Sequence, residues 1–260
     1  MKLWHRTLGN DGPDLVLLHG WGMNSAVWSL LLDGLSRRFR VTLLELPGHG
    51  GSDYDPADHT LGDWAAACLQ AAPPRAHWVG WSLGGQLALR AALEQPQRID
   101  RLVLVASTPR FIQAADWPHA MLENTLRQFG HALRRDHHQT LARFLSLQVQ
   151  GDESTRETLR LLRQELGQRP QPDHLALEHG LDLLIETDLR EALTGLTRPS
   201  LWLLGERDTL VPAAVQPQLE SLGMPRACFQ CIAGSAHAPF LSHPRESREA
   251  LLRFLEPADE

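Results

Sequence analysis

Ser82 stands in Gly80-Trp81-Ser82-Leu83-Gly84, a G-x-S-x-G pentapeptide. An apolar run, Ala76 to Val79, precedes it, and a stretch rich in helix formers, Gly85 to Leu93, follows it. Strand, tight turn and helix are what a nucleophile elbow requires, with the serine hydroxyl exposed on a strained backbone. Bulky residues two positions to either side would collide, so Gly80 and Gly84 suit the turn. Serine is a weak nucleophile without a base, and the base expected in this context is histidine oriented by an acid. In this fold order the acid follows the serine and the histidine comes last.

The chain supplies both groups after apolar runs. Leu201–Leu204 is followed by Gly205-Glu206-Arg207-Asp208. The run 227–232 is followed by Ala233-Gly234-Ser235-Ala236-His237-Ala238-Pro239. Thirteen histidines make any single one a poor choice by itself. Position after the final strand selects His237, whereas His243, before Pro244, reads as a helix opener. Asp208 is the expected acid, with Glu206 its rival. A developing oxyanion needs two donors. Leu83 offers its backbone N–H at a helix start, and Trp21, in His19-Gly20-Trp21-Gly22, offers a second from the first strand-to-loop turn. The indole of Trp21 can serve the core at the same time, because the proposed role uses only its backbone.

Other motifs read as structural. Cys228 and Cys231 form a C-x-x-C, but the segment 227–232 has the composition of a strand. Side chains three apart on a strand face opposite ways, roughly 10 Å apart along it. Gly48-His49-Gly50-Gly51 lacks the Lys-Ser/Thr of a phosphate loop and reads as a tight turn. His137 and His138 are expected on different helix faces, and no metal is inferred.

These groups need a scaffold. Leu15–Leu18, Val41–Leu46, Ala76–Val79, Arg101–Val105, Leu201–Leu204 and 227–232 read as six strands. Ala26–Leu35, Leu61–Ala71 and Pro244–Phe254 read as helices between them. Strands apolar on both faces that alternate with helices predict a mostly parallel sheet covered on both sides. The alternation stops between Arg110 and Thr197, where several helices and no strand are expected. The chain therefore divides into a core, 1–109 and 198–260, and a helical cap inserted at 110–197. Pro170-Gln171-Pro172 marks a bend between cap helices.

Composition narrows the function further. The chain has 260 residues and a formal net charge of −6, which argues against a nucleic-acid partner. There is no apolar run long enough for a membrane span, no apolar leader core, and no disulfide framework among Cys68, Cys228 and Cys231. A monomer in a reducing cytoplasm is expected. The segment 127–169 runs against the overall charge, with eight arginines and five carboxylates. At helical spacing Arg156, Arg160 and Arg163 share a face, which reads either as a solvated surface or as a dock for an acidic partner.

With Ser82, Asp208 and His237 in this order, the chain resembles the α/β-hydrolase superfamily over essentially its full length. Four segments are more narrowly similar to the biotin-pathway carboxylesterase family, which hydrolyses the methyl ester of pimeloyl-acyl-carrier protein. They are His19 to Asn24, Gly80 to Gly85, Arg143 to Gln148 and Ser235 to Phe240. The resemblance implies an α/β-hydrolase fold, a serine carboxylesterase without a cofactor, and an acyl-carrier protein as partner. It also implies substrate contacts at Trp21, Ser82, Leu83, Phe144, Leu145, Ser146, Leu147, Gln148 and His237. Helical spacing is compatible, since Leu141, Phe144, Leu145 and Gln148 fall on one face. Arg143, Arg156 and Arg160 are the expected carrier contacts. Two other readings remain open: a general short-chain carboxylesterase acting on small free esters, and a non-catalytic ligand receptor on the same fold.

Overall fold

The computed structural model describes residues 1–9 and 11–256. Seven strands form one sheet: β1 (His5–Leu8), β2 (Asp14–Leu18), β3 (Arg40–Leu44), β4 (Ala76–Trp81), β5 (Ile99–Val105), β6 (Ser200–Gly205) and β7 (Ala227–Ile232). Their order is β1-β3-β2-β4-β5-β6-β7. Strands β2 to β7 pair in parallel, and β1 pairs antiparallel with β3. The helices are α1 (Ser29–Ser36), α2 (Leu61–Ala71), α3 (Leu83–Glu94), α4 (Glu123–Leu133), α5 (His137–Gln148), α6 (Thr155–Leu166), α7 (His174–Glu186), α8 (Gln216–Ser221), α9 (Pro239–Ser242) and α10 (Pro244–Leu255). This is the α/β-hydrolase architecture.

Parallel strands bury both faces. Every residue of β4 and β6 is buried, and Leu15 to Leu18 of β2 are fully so. Trp28, Trp78 and Trp202 fill the layers between sheet and helices, with Trp28 against Phe240 at 4.4 Å between ring centroids. One strand was not expected. His5–Leu8 is largely exposed, and its His-Arg-Thr-Leu sequence has no apolar face to announce it. It is held by pairing with β3 at the sheet edge. The expected helix 26–35 divides into a 3₁₀ turn, Ser25–Trp28, capped by Asn24, and then α1.

Helices α4 to α7 occupy the connection from β5 to β6. Among the described residues of that connection, only the isolated bridges Ile112–Met121 and Ala114–Trp117 have strand character. Pro170 to Pro172 lie between α6 and α7. Because β2 to β7 run parallel, the turns after β2, β4, β6 and β7 all emerge at one edge, where open α/β sheets place their sites. Among the described residues, no helix is long and apolar enough to cross a membrane.

Candidate active site

The elbow between β4 and α3 is built as the pentapeptide requires. Ser82 has φ 55° and ψ −121°, outside the regions that side-chain-bearing residues favour. A Cβ on Gly80 would lie 2.3 Å from the Gly84 carbonyl oxygen, and one on Gly84 would lie 2.4 Å from that of His19. Only glycine fits either position. The turn is pinned from β5: Ser82 N–H donates to Val105 O at 3.0 Å, and Ser107 Oγ donates to Ser82 O at 2.8 Å.

The acid and base come from neighbouring turns. His237 Nδ1–H donates to Asp208 Oδ2 at 2.7 Å, and both side chains are buried. The other carboxylate oxygen accepts from the N–H groups of Leu210 (2.8 Å) and Val211 (3.0 Å), so Asp208 cannot rotate freely. Its rival is engaged elsewhere, since Glu206 Oε2 accepts from Gly234 N–H at 2.8 Å. His237 Nε2 has no hydrogen-bond partner among the described residues, which leaves that nitrogen available as a base. The serine and histidine loops are tied together: the Trp81 indole N–H donates to His237 O at 2.7 Å. His243 precedes α10 and bonds to Ser242, apart from this cluster.

The backbone N–H groups of Trp21 and Leu83 donate to no backbone or side-chain acceptor among the described residues. The Trp21 indole meanwhile donates to Leu177 O on α7 at 2.8 Å, so the ring packs under the helices while the amide stays unused. Behind this turn lie groups that motif reading did not select. Leu46 N–H donates to His19 Nε2, which puts the ring hydrogen on Nδ1, where it is donated to Gly20 O at 2.8 Å. Gly22 N–H donates to His49 Nε2 at 3.1 Å, and His49 Nδ1–H donates to Pro47 O. Burial, reinforced by the neighbouring His49, lowers the pKa of His19 to about 3. Burial lowers that of His49 to about 4. Glu45, fully buried, completes the support. A carboxylate inside the apolar run Val41–Leu46 was the one sequence signal of Glu45.

Helix α5 turns Leu141, Phe144 and Gln148 inward. Phe144 packs edge-on against Trp21, 4.7 Å between centroids, and Gln148 O accepts from His237 N–H at 3.0 Å. Leu145 and Leu147 are half-buried. Ser146 is on the exposed side, where its hydroxyl donates back to Ala142 O, because the position falls off the helix face that packs inward. A cavity of about 300 Å³ opens between α5, the end of α6 and the 167–172 connection. Leu141, Leu145 and Leu166 line it, together with Gly22 at one end and Arg163 and His138. Arg143, Arg156, Arg160 and Arg163 are exposed, and none lies within ion-pair distance of a carboxylate among the described residues. The His137 and His138 rings, expected to diverge, lie with centroids 4.1 Å apart and planes tilted by 38°. Cys228 and Cys231 lie unpaired on the edge strand β7.

Residues 13–244 match the family model described as the alpha/beta hydrolase fold. A relative from Xanthomonas campestris pv. campestris (strain B100), named pimeloyl-[acyl-carrier protein] methyl ester esterase, is 47% identical over 251 residues, covering 96% of this chain and 98% of the relative. One of the same name from Yersinia pseudotuberculosis serotype IB (strain PB1/+) is 42% identical over 255 residues, covering 98% of each. Among solved structures, an esterase from Exiguobacterium antarcticum is similar with a TM-score of 0.87 at 19% identity, covering 98% of this chain and 95% of that one. That last likeness is one of fold.

Proposed function

Because the chain belongs to the α/β-hydrolase family that includes the pimeloyl-[acyl-carrier protein] methyl ester esterases, we propose that it is a serine carboxylesterase that hydrolyses that methyl ester, releasing methanol and the carrier-bound free acid for biotin synthesis. The observation that carries the chemistry is the 2.7 Å His237–Asp208 bond beside a strained elbow serine. Ser82 Oγ attacks the ester carbonyl while His237 Nε2 takes its proton. The same nitrogen then protonates departing methanol. Asp208 holds the imidazole in the tautomer with Nδ1 protonated and stabilises the imidazolium that forms. The amides of Trp21 and Leu83 receive the oxyanion. Water, deprotonated by His237, then cleaves the acyl-enzyme.

The chain divides in this reading into a catalytic core, 1–109 and 198–260, and a cap, 110–197. The acyl chain runs outward past Leu141 and Phe144 toward the apolar cavity. The acidic carrier rests on Arg143, Arg156 and Arg160, whose charges are unpaired within the described chain. The setting is cytoplasmic, in keeping with three unpaired cysteines.

The test compares the carrier-linked methyl ester with a small chromogenic ester. Reversing Arg156 and Arg160 to Glu should lower kcat/KM on the carrier substrate roughly 10-fold or more and leave the small ester nearly unchanged. The loss should shrink with salt, because the Debye length is about 8 Å at physiological ionic strength. Equal loss on both substrates would mean a damaged cap, and loss on neither would remove the docking role.

A further inference from the structure

Glu45 lies directly after β3, fully buried, and is the convergence point of five donors. Its Oε1 accepts from Ser25 N–H (3.3 Å), Ser25 Oγ–H (2.8 Å) and Arg169 Nε–H (2.8 Å). Its Oε2 accepts from Gly51 N–H (2.6 Å) and Arg169 Nη2–H (2.7 Å). Burial alone would push this carboxyl up. The bonds from Arg169, Gly51 and Ser25 outweigh it and hold the group below the ordinary carboxylate range. Arg169 belongs to the connection between α6 and α7, 124 residues away in sequence. Its guanidinium carbon lies over the Trp4 ring, 3.9 Å from the centroid, while Nε and Nη2 make the two-pronged bond to Glu45.

The partners of this ion pair are the far end of the oxyanion turn. Ser25 is four residues from Trp21. Asn24, between them, donates from Nδ2 to Leu166 O at the end of α6 (3.1 Å) and caps the 3₁₀ turn through Oδ1. Gly22 is held by His49 and Gly20 by His19. The stretch from Gly20 to Ser25 is therefore fixed from the core by two neutral imidazoles and one carboxylate. The cation that makes the carboxylate tolerable there comes from the helical insertion.

We propose that Arg169 is a positioning residue for ester hydrolysis: through Glu45 and Ser25 it sets the turn that aims the Trp21 amide, so the insertion must be seated for the core to stabilise an oxyanion. This rests on the oxyanion role proposed for Trp21. An oxyanion donor acts only in the transition state, so a turn that shifts should lower kcat and leave substrate binding largely intact. Complete loss of one donor costs about 10²–10³ in kcat. A displaced donor should cost less.

The test uses the whole protein and a small chromogenic ester, which makes it independent of carrier docking. Arg169→Met should lower kcat roughly 10- to 100-fold with KM changed less than about 3-fold. It should weaken a trifluoromethyl ketone, which forms a tetrahedral oxyanion on the serine, by a similar factor. Arg169→Lys, which keeps the charge without the two-pronged bond, should recover part of the rate. Arg169→Met also strands a buried carboxylate, so its stability should fall. The double variant Glu45→Gln/Arg169→Met removes that charge and should regain thermal stability while kcat stays low. If the double variant regains both, the pair is only structural and the inference is overturned. Wild-type kcat in Arg169→Met overturns it as well. Ser82→Ala, run alongside, separates the failures: if it abolishes hydrolysis while the Arg169 variants remain fully active, the esterase reading stands and the positioning role falls.

Discussion

Acid should destabilise this protein between about pH 6.5 and pH 4, and the two imidazoles behind the oxyanion turn set that window. In the unfolded chain each ring takes up a proton near pH 6.5. In the native state burial delays this to about 3 for His19 and about 4 for His49. The unfolded chain therefore binds more protons over that range, and native stability falls as pH falls through it. Above about pH 6.5 both states carry neutral rings and the effect vanishes. A pH of 5 lies about 1.5 units below the unfolded pKa and above both native values, so at about 1.4 kcal/mol per unit each ring costs about 2 kcal/mol. The two together approach 4 kcal/mol, a large share of the 5–15 kcal/mol typical of a domain. Glu45 does not confuse the comparison. Its carboxyl is held low, so its contribution is intact above the carboxylate range and is lost only as pH falls further. Urea titrations at pH 8 and pH 5 measure the drop. His49→Gln, which can still accept from Gly22 and donate to Pro47, should reduce the drop by about 2 kcal/mol. The imidazole proton resonances of the folded protein provide a direct reading. A titration of either ring near pH 6.5 in the native state would refute the reasoning.

The catalytic groups give sharper outcomes. Ser82→Ala should abolish ester turnover, by about 10⁴-fold or more, with a stability change of about 1 kcal/mol or less, since the elbow hydroxyl contributes little packing. Substantial activity in a clean preparation would end the triad assignment. Asp208→Asn should cost on the order of 10⁴ in kcat by favouring the wrong histidine tautomer. Glu206→Gln removes only an acceptor for Gly234 N–H and should be mild by comparison. The reverse ranking would mean that the acids are misassigned.

What the sequence made readable was local. Gly80 and Gly84 flank a serine between an apolar run and a helix-forming one; Gly80 is demanded by a backbone contact inside the same turn and Gly84 by the backbone at the end of β2. The order of Ser82, Asp208 and His237 follows from strand succession, so a linear reading reaches it. β1 was invisible because an exposed edge strand needs pairing and not an apolar face. The sequence favoured Asp208 over Glu206, but the contact that occupies Glu206, from Gly234 N–H, is tertiary information. Glu45 and Arg169 were out of reach for the same reason, being 124 residues apart with no motif to link them. The segment Phe144 to Gln148 came from the family resemblance, whereas helical spacing by itself selects Phe144, Leu145 and Gln148. A helix presents Phe144 and Gln148 inward and turns Ser146 to solvent.

The helix that carries the unpaired arginines is also the one strung between the catalytic loops. At the entry to α6, Glu153 N–H donates to Gly234 O (3.2 Å), Ala236 N–H donates to Asp152 Oδ2 (3.3 Å), and Arg207 Nη2 pairs with Glu153 (2.9 Å). Those partners sit in the loops that hold His237 and Asp208. At its exit, Leu166 O accepts from Asn24, and Arg169 reaches Glu45. One end of α6 therefore touches the base and acid loops, and the other touches the oxyanion turn. Surface charges on such a helix differ physically from charges on a free-standing face. A rigid element packed at both ends transmits a displacement to both, because close-packed interiors do not absorb it locally. This is why the reversal of Arg156 and Arg160 is paired with a small-ester control: substitutions confined to the solvent side should leave both anchor points, and hence small-ester turnover, in place.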